Sequence, residues 1–388
     1  MKATTKLTFL IFLMVPHLHA EILRIEMSPF VHKKIEAHVS KDLLKNKKKK
    51  NDFYYFDIEE ARVSELSKVI HDQTHRCGGF RVATEAAPRP LQSFNKMIQT
   101  IDYAINKDNE LQAWFNNIDQ SRMDQIIINL SVYHNRFYTS PTGVEAMRSI
   151  GALWSKIAQA RNDFSLEYHK YSGYPQETVI ATIKGELYPD QIIILGGHGD
   201  SINTDDQGPH SRAPGADDNA AGIAVLSEIL KTMVDMNYKP AHTIQFIAYA
   251  AEEVGVRGSY ELANIYRRAK KDVVGVIQFD GVNYRGQTYD MAIVADNTDQ
   301  AQNNFIASLV DTYLKVSWKY EKCMYACSDH AAWNYEGYKA SYPVEAIGIE
   351  QNPHFHTARD TFDKSNSNTD HAAMFVKLGM AYLVELDR

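Results

Sequence analysis

The sequence contains an uninterrupted apolar run, Ile192-Ile193-Ile194-Leu195, with no polar alternation. A strand that is buried on one face alternates apolar with polar residues, whereas a strand of a parallel sheet covered on both faces is apolar throughout. Three more runs rich in β-branched residues lie near it, at 178–183, 243–248 and 273–279. We therefore predict a central sheet that is covered by helices on both faces.

Stretches with helical periodicity separate or follow these strands. Residues 219–236 place apolar side chains three and four positions apart, and 309–318 and 372–386 also suit helices. Strands interleaved with helices predict an α/β fold with a mixed, mostly parallel central sheet flanked by helices. In such folds ligands bind beyond the carboxyl ends of the strands.

Length and charge narrow the classes of function. A chain of 388 residues is long enough for one large core plus an accessory segment. The net charge of -6 is spread along the chain and argues against a nucleic-acid partner. We expect a monomer.

The first 20 residues have the pattern of a signal peptide. Lys2 and Lys6 precede an apolar run from Leu7 to Pro16, and Ala20 supplies a small residue for cleavage. A buried N-terminal strand or helix is the alternative. Because no other segment reaches the ~20 apolar residues of a membrane span, we expect export to an extracellular or periplasmic location without a membrane anchor.

Residues 21–105 differ in composition from the rest of the chain. A run of lysines at 45–50, an aromatic and acidic patch at 53–60, and Pro88 and Pro90 follow one another. The lysine run is typical of a solvated surface. We predict that 21–105 is a pro-segment, which assists folding or blocks the site until it is removed, and that 106–388 is the catalytic domain.

The chain has three cysteines, too few for a disulfide-rich scaffold. Cys323 and Cys327 lie four positions apart, and in an exported protein a bridge between them can persist, so we predict that bridge. A pair of metal-binding thiolates is the alternative at this spacing. Cys77 is then left without a partner.

Metal-ligand residue types follow three of the four predicted strands. His198 and Asp200 follow the strand that ends at Leu195, Glu252 and Glu253 follow the strand at 243–248, and Asp280 follows the strand at 273–279, while Asp217-Asp218-Asn219 leads into a helix. A single ending of this kind is usually a cap or a surface group, and one of the residues at 217–219 is also suited to capping the helix. Three coincident endings instead indicate one shared site.

Carboxylates and imidazoles without thiolates suit zinc, manganese or cobalt, and imidazole favours zinc. Three carboxylates and two histidines exceed the needs of one tetrahedral zinc, but they suit two ions that share a carboxylate and activate a water between them. The doublet Glu252-Glu253 supplies a ligand and a base if the chain turns there, since neighbouring side chains of an extended stretch point in opposite directions.

Several longer motifs resemble the secreted bacterial leucyl aminopeptidases of the M28 zinc peptidase family. The resemblance covers the chain from about residue 110 to its end. The motifs that carry it are Gly197–Ser201, Pro214–Gly222, Ala250–Ser259, Cys323–His330 and His356–Thr361.

This resemblance implies a role for each matching residue. It implies that His198 and Asp280 bind one zinc ion, that Glu253 and His356 bind the other, and that Asp217 bridges them. Glu252 matches the general base and Tyr325 the hydroxyl that stabilises the oxyanion. Asp200 matches the carboxylate that orients His198, and Asp218 matches the residue after the bridging ligand, where the family has an unusual peptide geometry.

The predicted substrate is the N-terminus of a peptide or protein, and its first side chain is expected to enter a pocket lined by Gly281, Tyr342, Val344 and Phe355. Gly281 stands where relatives often carry a bulky apolar residue, which predicts a wider pocket. The apolar neighbours favour a hydrophobic first residue, whereas Glu350 leaves a basic one open.

Other functions remain to be weighed. A glutaminyl cyclase resembles this fold but uses one zinc, and a non-catalytic binding protein is expected to have lost ligands or Glu252. A carboxypeptidase or aminoacylase of the wider di-zinc group typically carries an inserted dimerisation domain, and the sequence between Asp218 and Glu252 is too short for one.

Overall fold

The computed structural model describes residues 21–50, 52–74, 78–83, 101, 103–106, 108–206 and 208–387. The predicted signal peptide at 1–20 and Cys77 lie outside these residues. Among the described helices, none is both long and apolar enough to cross a bilayer.

Residues 21–83 contain a separate small sheet and two helices, which together we call the N-terminal unit. Its four-stranded sheet has the order β2-β3-β1-β4, with β1 antiparallel to β3 and β4, and carries two helices. In chain order the elements are β1 (Ile22–Met27), α1 (Pro29–Ile35), β2 (Lys45–Lys50), β3 (Phe53–Glu59), α2 (Val63–Thr74) and β4 (Phe80–Val82).

The lysine run forms the edge strand β2, and all six of its residues are exposed. Charged side chains on an edge strand hinder pairing with other chains. The interpretation of this run as a solvated surface is therefore confirmed.

The central sheet has six strands in the order β12-β9-β7-β8-β6-β5. Its inner strands β9, β7 and β8 run parallel, and β6 and β5 are antiparallel at one edge. The strands are β5 (Phe164–His169), β6 (Thr178–Ile183), β7 (Tyr188–His198), β8 (His242–Tyr249), β9 (Asp272–Gln278) and β12 (Ala340–Ser341).

Helices cover both faces of this sheet, as the continuous apolar run predicts. Ile193 and Leu195 of β7 pack into the larger core cluster on one face, while Ile192 and Ile194 pack into a second cluster on the other. The helices are α3 (Asp108–Phe115), α4 (Gln120–Val132), α5 (Pro141–Ile157), α6 (Gly222–Asp235), α7 (Arg257–Arg268), α8 (Gln300–Leu309), α9 (His330–Tyr335) and α10 (Ala372–Leu386). The predicted α/β fold is confirmed.

A small sheet of β10 (Met291–Val294), β11 (Trp318–Glu321) and β13 (Pro343–Val344) has the order β11-β10-β13. It replaces part of a predicted helix, because 309–318 is helical only to Leu314 and Trp318 begins β11. Lys315 has a φ of 55° and accordingly ends the helix.

The last residues of the predicted pro-segment contact the central sheet domain. Ile101, Tyr103 and Ile105 pack against the core of the central sheet, and the backbone N–H of Asn106 donates to Glu385 on α10. The prediction that residues up to 105 form a removable segment stays a prediction.

Candidate metal centre

Three parallel strands bring the candidate ligands to one edge of the sheet. β7 ends at His198, β8 leads into Glu252 and Glu253, and β9 leads into Asp280. Because β7 pairs in parallel with both β8 and β9, the carboxyl ends of the three strands lie side by side. All four side chains are buried.

Asp218 lies between the two candidate imidazoles. Its Oδ1 is 3.0 Å from Nε2 of His198, and its Oδ2 is 3.1 Å from Nε2 of His356. The same nitrogen of His198 lies 3.3 Å from Oδ1 of Asp280, and that of His356 lies 2.9 Å from Oε2 of Glu253. The structure thus forms two half-sites, each with one imidazole and one carboxylate, and Asp218 contacts both.

The shared position is therefore Asp218 and not Asp217, which corrects the sequence-based assignment by one residue. Asp217 accepts hydrogen bonds from the backbone N–H of Asn283 and from Nδ2 of Asn352, each at 2.9 Å. Both of its oxygens therefore have partners away from the imidazoles. The peptide between Asp218 and Asn219 is cis, and the backbone at both residues departs from helical geometry.

Asn219 caps the following helix. Its Oδ1 accepts from the backbone N–H of Gly222, the first residue of α6, and its Nδ2 donates to the carbonyl of Phe279 beside Asp280. Asn219 thus stabilises the start of the helix, while its neighbour Asp218 faces the imidazoles.

Asp200 holds the turn that carries Glu252 and Glu253. Its two oxygens accept from the backbone N–H groups of these residues at 3.0 and 3.1 Å, and its Oδ1 lies 3.4 Å from Nδ1 of His198. Ala251 has a φ of 55°, so the chain turns here as the doublet requires. The side chains of Glu252 and Glu253 can therefore point in directions that suit a base and a metal ligand.

Among the residues that support the site, Asp360 and Arg136 were not predicted from the sequence. Asp360 accepts from the backbone N–H groups of Asp217 and Asp218 at 3.2 and 3.0 Å and so mirrors the role of Asp200. The buried guanidinium of Arg136 donates to the carbonyls of Gly199 and Gly215, which joins two ligand-bearing loops. The motif with Asp360 was visible, but nothing in the sequence pointed to Arg136.

Glu252 is 1% exposed, and neither of its carboxylate oxygens has a hydrogen-bond partner among the described residues. A buried polar group without a partner is costly and indicates that something else occupies its surroundings in the working protein. Burial raises the pKa of Glu252 well above its usual range. A carboxylate of this kind is suited to exchanging protons with a substrate or a water.

The site holds far more acidic than basic groups. Burial raises the pKa of Glu253 to about 7. Burial also opposes the ionisation of Asp218. The neighbouring His198 and His356 nevertheless hold the pKa of Asp218 below its usual range. The buried carboxyl groups that meet here are Asp200, Asp217, Asp218, Glu252, Glu253, Asp280 and Asp360.

This donor set fits divalent cations. One ligand atom each from His198, Asp218 and Glu253 lies within 4.8 Å of the others, a spacing suited to a shared ion. A bound cation would balance the buried negative charge and favour the ionised carboxylates. Imidazole and carboxylate donors without thiolate are those of zinc sites with an open position.

The predicted disulfide joins Cys323 to Cys327 and closes a short loop around Tyr325. Asp296 accepts from the backbone N–H groups of Cys323 and Met324, and Asn297 donates to the carbonyl of Tyr325 at 3.0 Å. The loop is therefore fixed at both ends, and Tyr325 is buried within it.

The predicted pocket residues lie beside Asp280. The hydroxyl of Tyr342 donates to the carbonyl of Asp280 at 3.1 Å, and Tyr342, Val344 and Phe355 are all buried. Gly281 has a φ of 58°, and a Cβ there would lie 3.0 Å from the Phe355 ring. The Phe355 ring thus occupies the space into which a side chain at position 281 would project. The missing side chain of Gly281 therefore leaves no void there.

Glu350 is occupied elsewhere. Its Oε2 accepts from the backbone N–H groups of Gln287 and Thr288 at 3.1 and 3.0 Å, and its Oε1 accepts from the hydroxyl of Thr288. This carboxylate stabilises a turn, which weakens the case for recognition of a basic side chain.

Known proteins share both the sequence and the fold. A probable aminopeptidase of Saccharomyces cerevisiae is 30% identical over 310 residues, which are 76% of this chain and 82% of that protein. A probable leucine aminopeptidase of Arthroderma otae is 35% identical over 272 residues, 67% of this chain and 72% of that one. The LapA aminopeptidase of Legionella pneumophila superposes with a TM-score of 0.80 at 27% identity and covers 95% of this chain and 99% of its own.

More distant structures share the fold alone. The glutaminyl cyclase of Fimbriiglobus ruber has a TM-score of 0.55 at 14% identity, over 74% of this chain and 98% of its own.

The sequence model of peptidase family M28, whose members depend on zinc, matches residues 178–381, which contain all of the candidate ligands. The chain belongs to peptidase family M28 and is a metallo-aminopeptidase.

Proposed function

We propose that the enzyme is a secreted di-zinc aminopeptidase that releases hydrophobic N-terminal residues from peptides. The observation that carries the proposal is the carboxylate of Asp218, whose two oxygens face His198 and His356 separately. A single ion would not need a carboxylate that faces two half-sites. Glu252 lies in the same buried cluster and supplies a base.

The residues divide into two sets of ligands. His198 and Asp280 would hold one zinc ion, His356 and Glu253 would hold the other, and Asp218 would be shared. When bound, such a pair lowers the pKa of the attacking water and stabilises the charge that develops on the substrate carbonyl. Asp280 is oriented by Ser328, whose hydroxyl donates to its Oδ2 at 2.6 Å.

Glu252 serves as general base and then as general acid. It accepts a proton from the attacking water as the water oxygen bonds to the carbonyl carbon. It donates that proton to the leaving nitrogen as the carbon–nitrogen bond breaks. The fixed backbone of the turn, held by Asp200, keeps the carboxylate in one place during both transfers.

Tyr325 would stabilise the developing oxyanion with its hydroxyl. A donor that is held in place before the reaction is effective because it needs no reorganisation as charge develops. The disulfide and the hydrogen bonds from Asp296 and Asn297 support this fixed position.

The apolar surroundings of the pocket support a hydrophobic first residue. Tyr342, Val344 and Phe355 are buried together beside Asp280, and Glu350 accepts hydrogen bonds from its own turn. A leucine-sized side chain would gain from burial there, whereas a lysine would find no available carboxylate at Glu350.

Zinc titration combined with a substrate panel tests the proposed function. We expect the chelated enzyme to be inactive and to recover fully at two zinc equivalents per chain. It should cleave leucyl and phenylalanyl amides in preference to lysyl and glutamyl amides. Saturation at one equivalent, together with cyclisation of an N-terminal glutamine, would instead support a glutaminyl cyclase.

The N-terminal pattern supports export with cleavage after residue 20. We expect the full-length chain, expressed in a secreting host, to appear outside the cytoplasm with a new N-terminus near residue 21. Sequencing of the exported protein by Edman degradation checks this. Replacing two apolar residues of 7–16 by aspartate should retain the protein inside the cell, and export of that variant would contradict the proposal.

A further inference from the structure

The N-terminal unit reaches the candidate metal centre through His71. This residue lies in the last turn of α2, and its Nδ1 is 3.1 Å from Nδ1 of His356. The two rings are 4.9 Å apart between centroids. Nε2 of His356 faces Glu253 and Asp218, so its two nitrogens face opposite partners.

This arrangement determines where the protons lie when His356 binds a metal. A histidine that coordinates through Nε2 carries its proton on Nδ1, and a partner for that N–H fixes the orientation of the ring. With zinc on Nε2, the Nδ1–H of His356 would donate to Nδ1 of His71, which would then carry its own proton on Nε2. His198 has the corresponding neighbour in Asp200, which comes from its own loop.

Several contacts hold α2 and β4 against the turn that carries the glutamates. The hydroxyl of Ser67 donates to the carbonyl of Glu253, and the backbone N–H of Val82 donates to that of Gly255, each at 3.4 Å. A Cβ on Gly255 would lie 2.8 Å from the ring of Phe80, which shows how closely β4 approaches the turn. The backbone of the metal centre and the N-terminal unit are thus packed directly together.

A buried ion pair lies at the same interface. Arg81 donates to both carboxylate oxygens of Glu26, at 2.7 and 2.6 Å, and its guanidinium carbon is 3.9 Å from the ring centroid of Tyr335 and 5.2 Å from that of Tyr260. Arg257 of the catalytic domain also pairs with Glu60 at 2.7 Å.

The two parts of the chain also share one apolar core. Ile25, Leu66 and Phe80 of the N-terminal unit belong to the same buried cluster as Ala251 and Val254 of the turn. Removal of the unit would expose this surface and separate Arg257 from its partner Glu60, which is costly. This favours a unit that remains in place.

We propose that His71 is a positioning residue for His356, and that residues 21–83 stay in the working enzyme as part of its metal site. The inference rests on the proposed function only in that His356 binds zinc. It replaces the prediction of a removable segment, because a segment that orients a ligand supports activity, whereas a blocking segment opposes it.

Three substitutions at one position test the proposal. His71→Leu removes the acceptor, His71→Asn keeps an acceptor near the position of Nδ1, and His71→Gln places one farther out, near Nε2. Asp72→Asn, on the exposed side of α2, is the matched control. The zinc dissociation constant is measured by competition with a chromophoric chelator, and kcat and KM are measured on leucyl amide.

We expect His71→Leu and His71→Gln to weaken zinc binding by about 10–100-fold, the usual cost of losing the partner of a metal-binding histidine. His71→Asn should recover most of this loss, and Asp72→Asn should match the wild type. Since a merely structural role would not distinguish asparagine from glutamine, this pair carries the test even if the leucine variant folds poorly.

Equal zinc affinity in the asparagine and glutamine variants would overturn the proposal. So would higher activity in His71→Leu, or an exported enzyme that begins after residue 83 and keeps full affinity and activity. If the wild type cleaves no aminoacyl amide but the zinc effects appear as expected, the proposed function fails while the role of His71 stands.

Discussion

Replacing Glu252 by glutamine is expected to lower kcat by about 10²–10⁴-fold, the range attributed to general acid–base catalysis. The amide has nearly the same shape but cannot accept the proton of the attacking water. Zinc binding should be unchanged, because Glu252 is not among the residues that we assign as ligands. Steady-state kinetics on leucyl amide and metal analysis of the same preparation check both statements.

Two further variants make this result specific. Glu253→Gln should lower zinc affinity as well as activity, since Oε2 of Glu253 lies 2.9 Å from His356 in one half-site. Glu145→Gln, on the exposed surface of α5, should behave as the wild type. Full activity of the Glu252 variant with two bound zinc ions would show that another group is the base.

Replacing Asp218 by asparagine is expected to have the largest effect on metal content. Asp218 faces both half-sites, so the loss of its charge should weaken zinc binding by more than the roughly 10–100-fold that loss of a ligand's hydrogen-bond partner costs. Asp217→Asn should stay within that range, because Asp217 is bonded to Asn283 and Asn352. Zinc titration of the two variants side by side measures the difference.

The pair of aspartates is a strict comparison because the residues are adjacent, chemically identical and both buried. A larger loss of zinc in Asp217→Asn than in Asp218→Asn would restore the original assignment of the shared ligand to Asp217. Circular dichroism of the metal-free variants separates loss of a ligand from loss of the fold.

Much of the fold was predictable because the periodicity of apolar residues is a local property. The predicted strand at 178–183 and the predicted helix at 372–386 match β6 and α10 at both ends. The helix predicted at 309–318 was wrong in its bounds. Its last residue, Trp318, begins β11 instead, and β11 forms by pairing with β10, a strand more than 20 residues away.

In the candidate site, too, some features were predictable from local sequence patterns and others depended on contacts between distant residues. The residue types after β7, β8 and β9 indicated a shared metal site, since parallel strands end at one edge. Which of two consecutive aspartates faces the imidazoles depends on backbone torsions at 217–219, and these have no signature in composition or spacing. Arg136 and Asp360 act through backbone groups of distant loops, so neither role could be predicted, although the motif that contains Asp360 was visible.

The sequence by itself determined the α/β architecture, the residue types of a metal-dependent peptidase and the short disulfide loop, because each of these depends on local patterns or compact motifs. Only the tertiary structure decided that Asp218 takes the shared position and that His71 contacts His356 across 285 residues of chain. The physical reason is that such contacts depend on the packing of separate elements and on side-chain direction. The direction in which a side chain points depends on the backbone conformation of its residue in the packed structure.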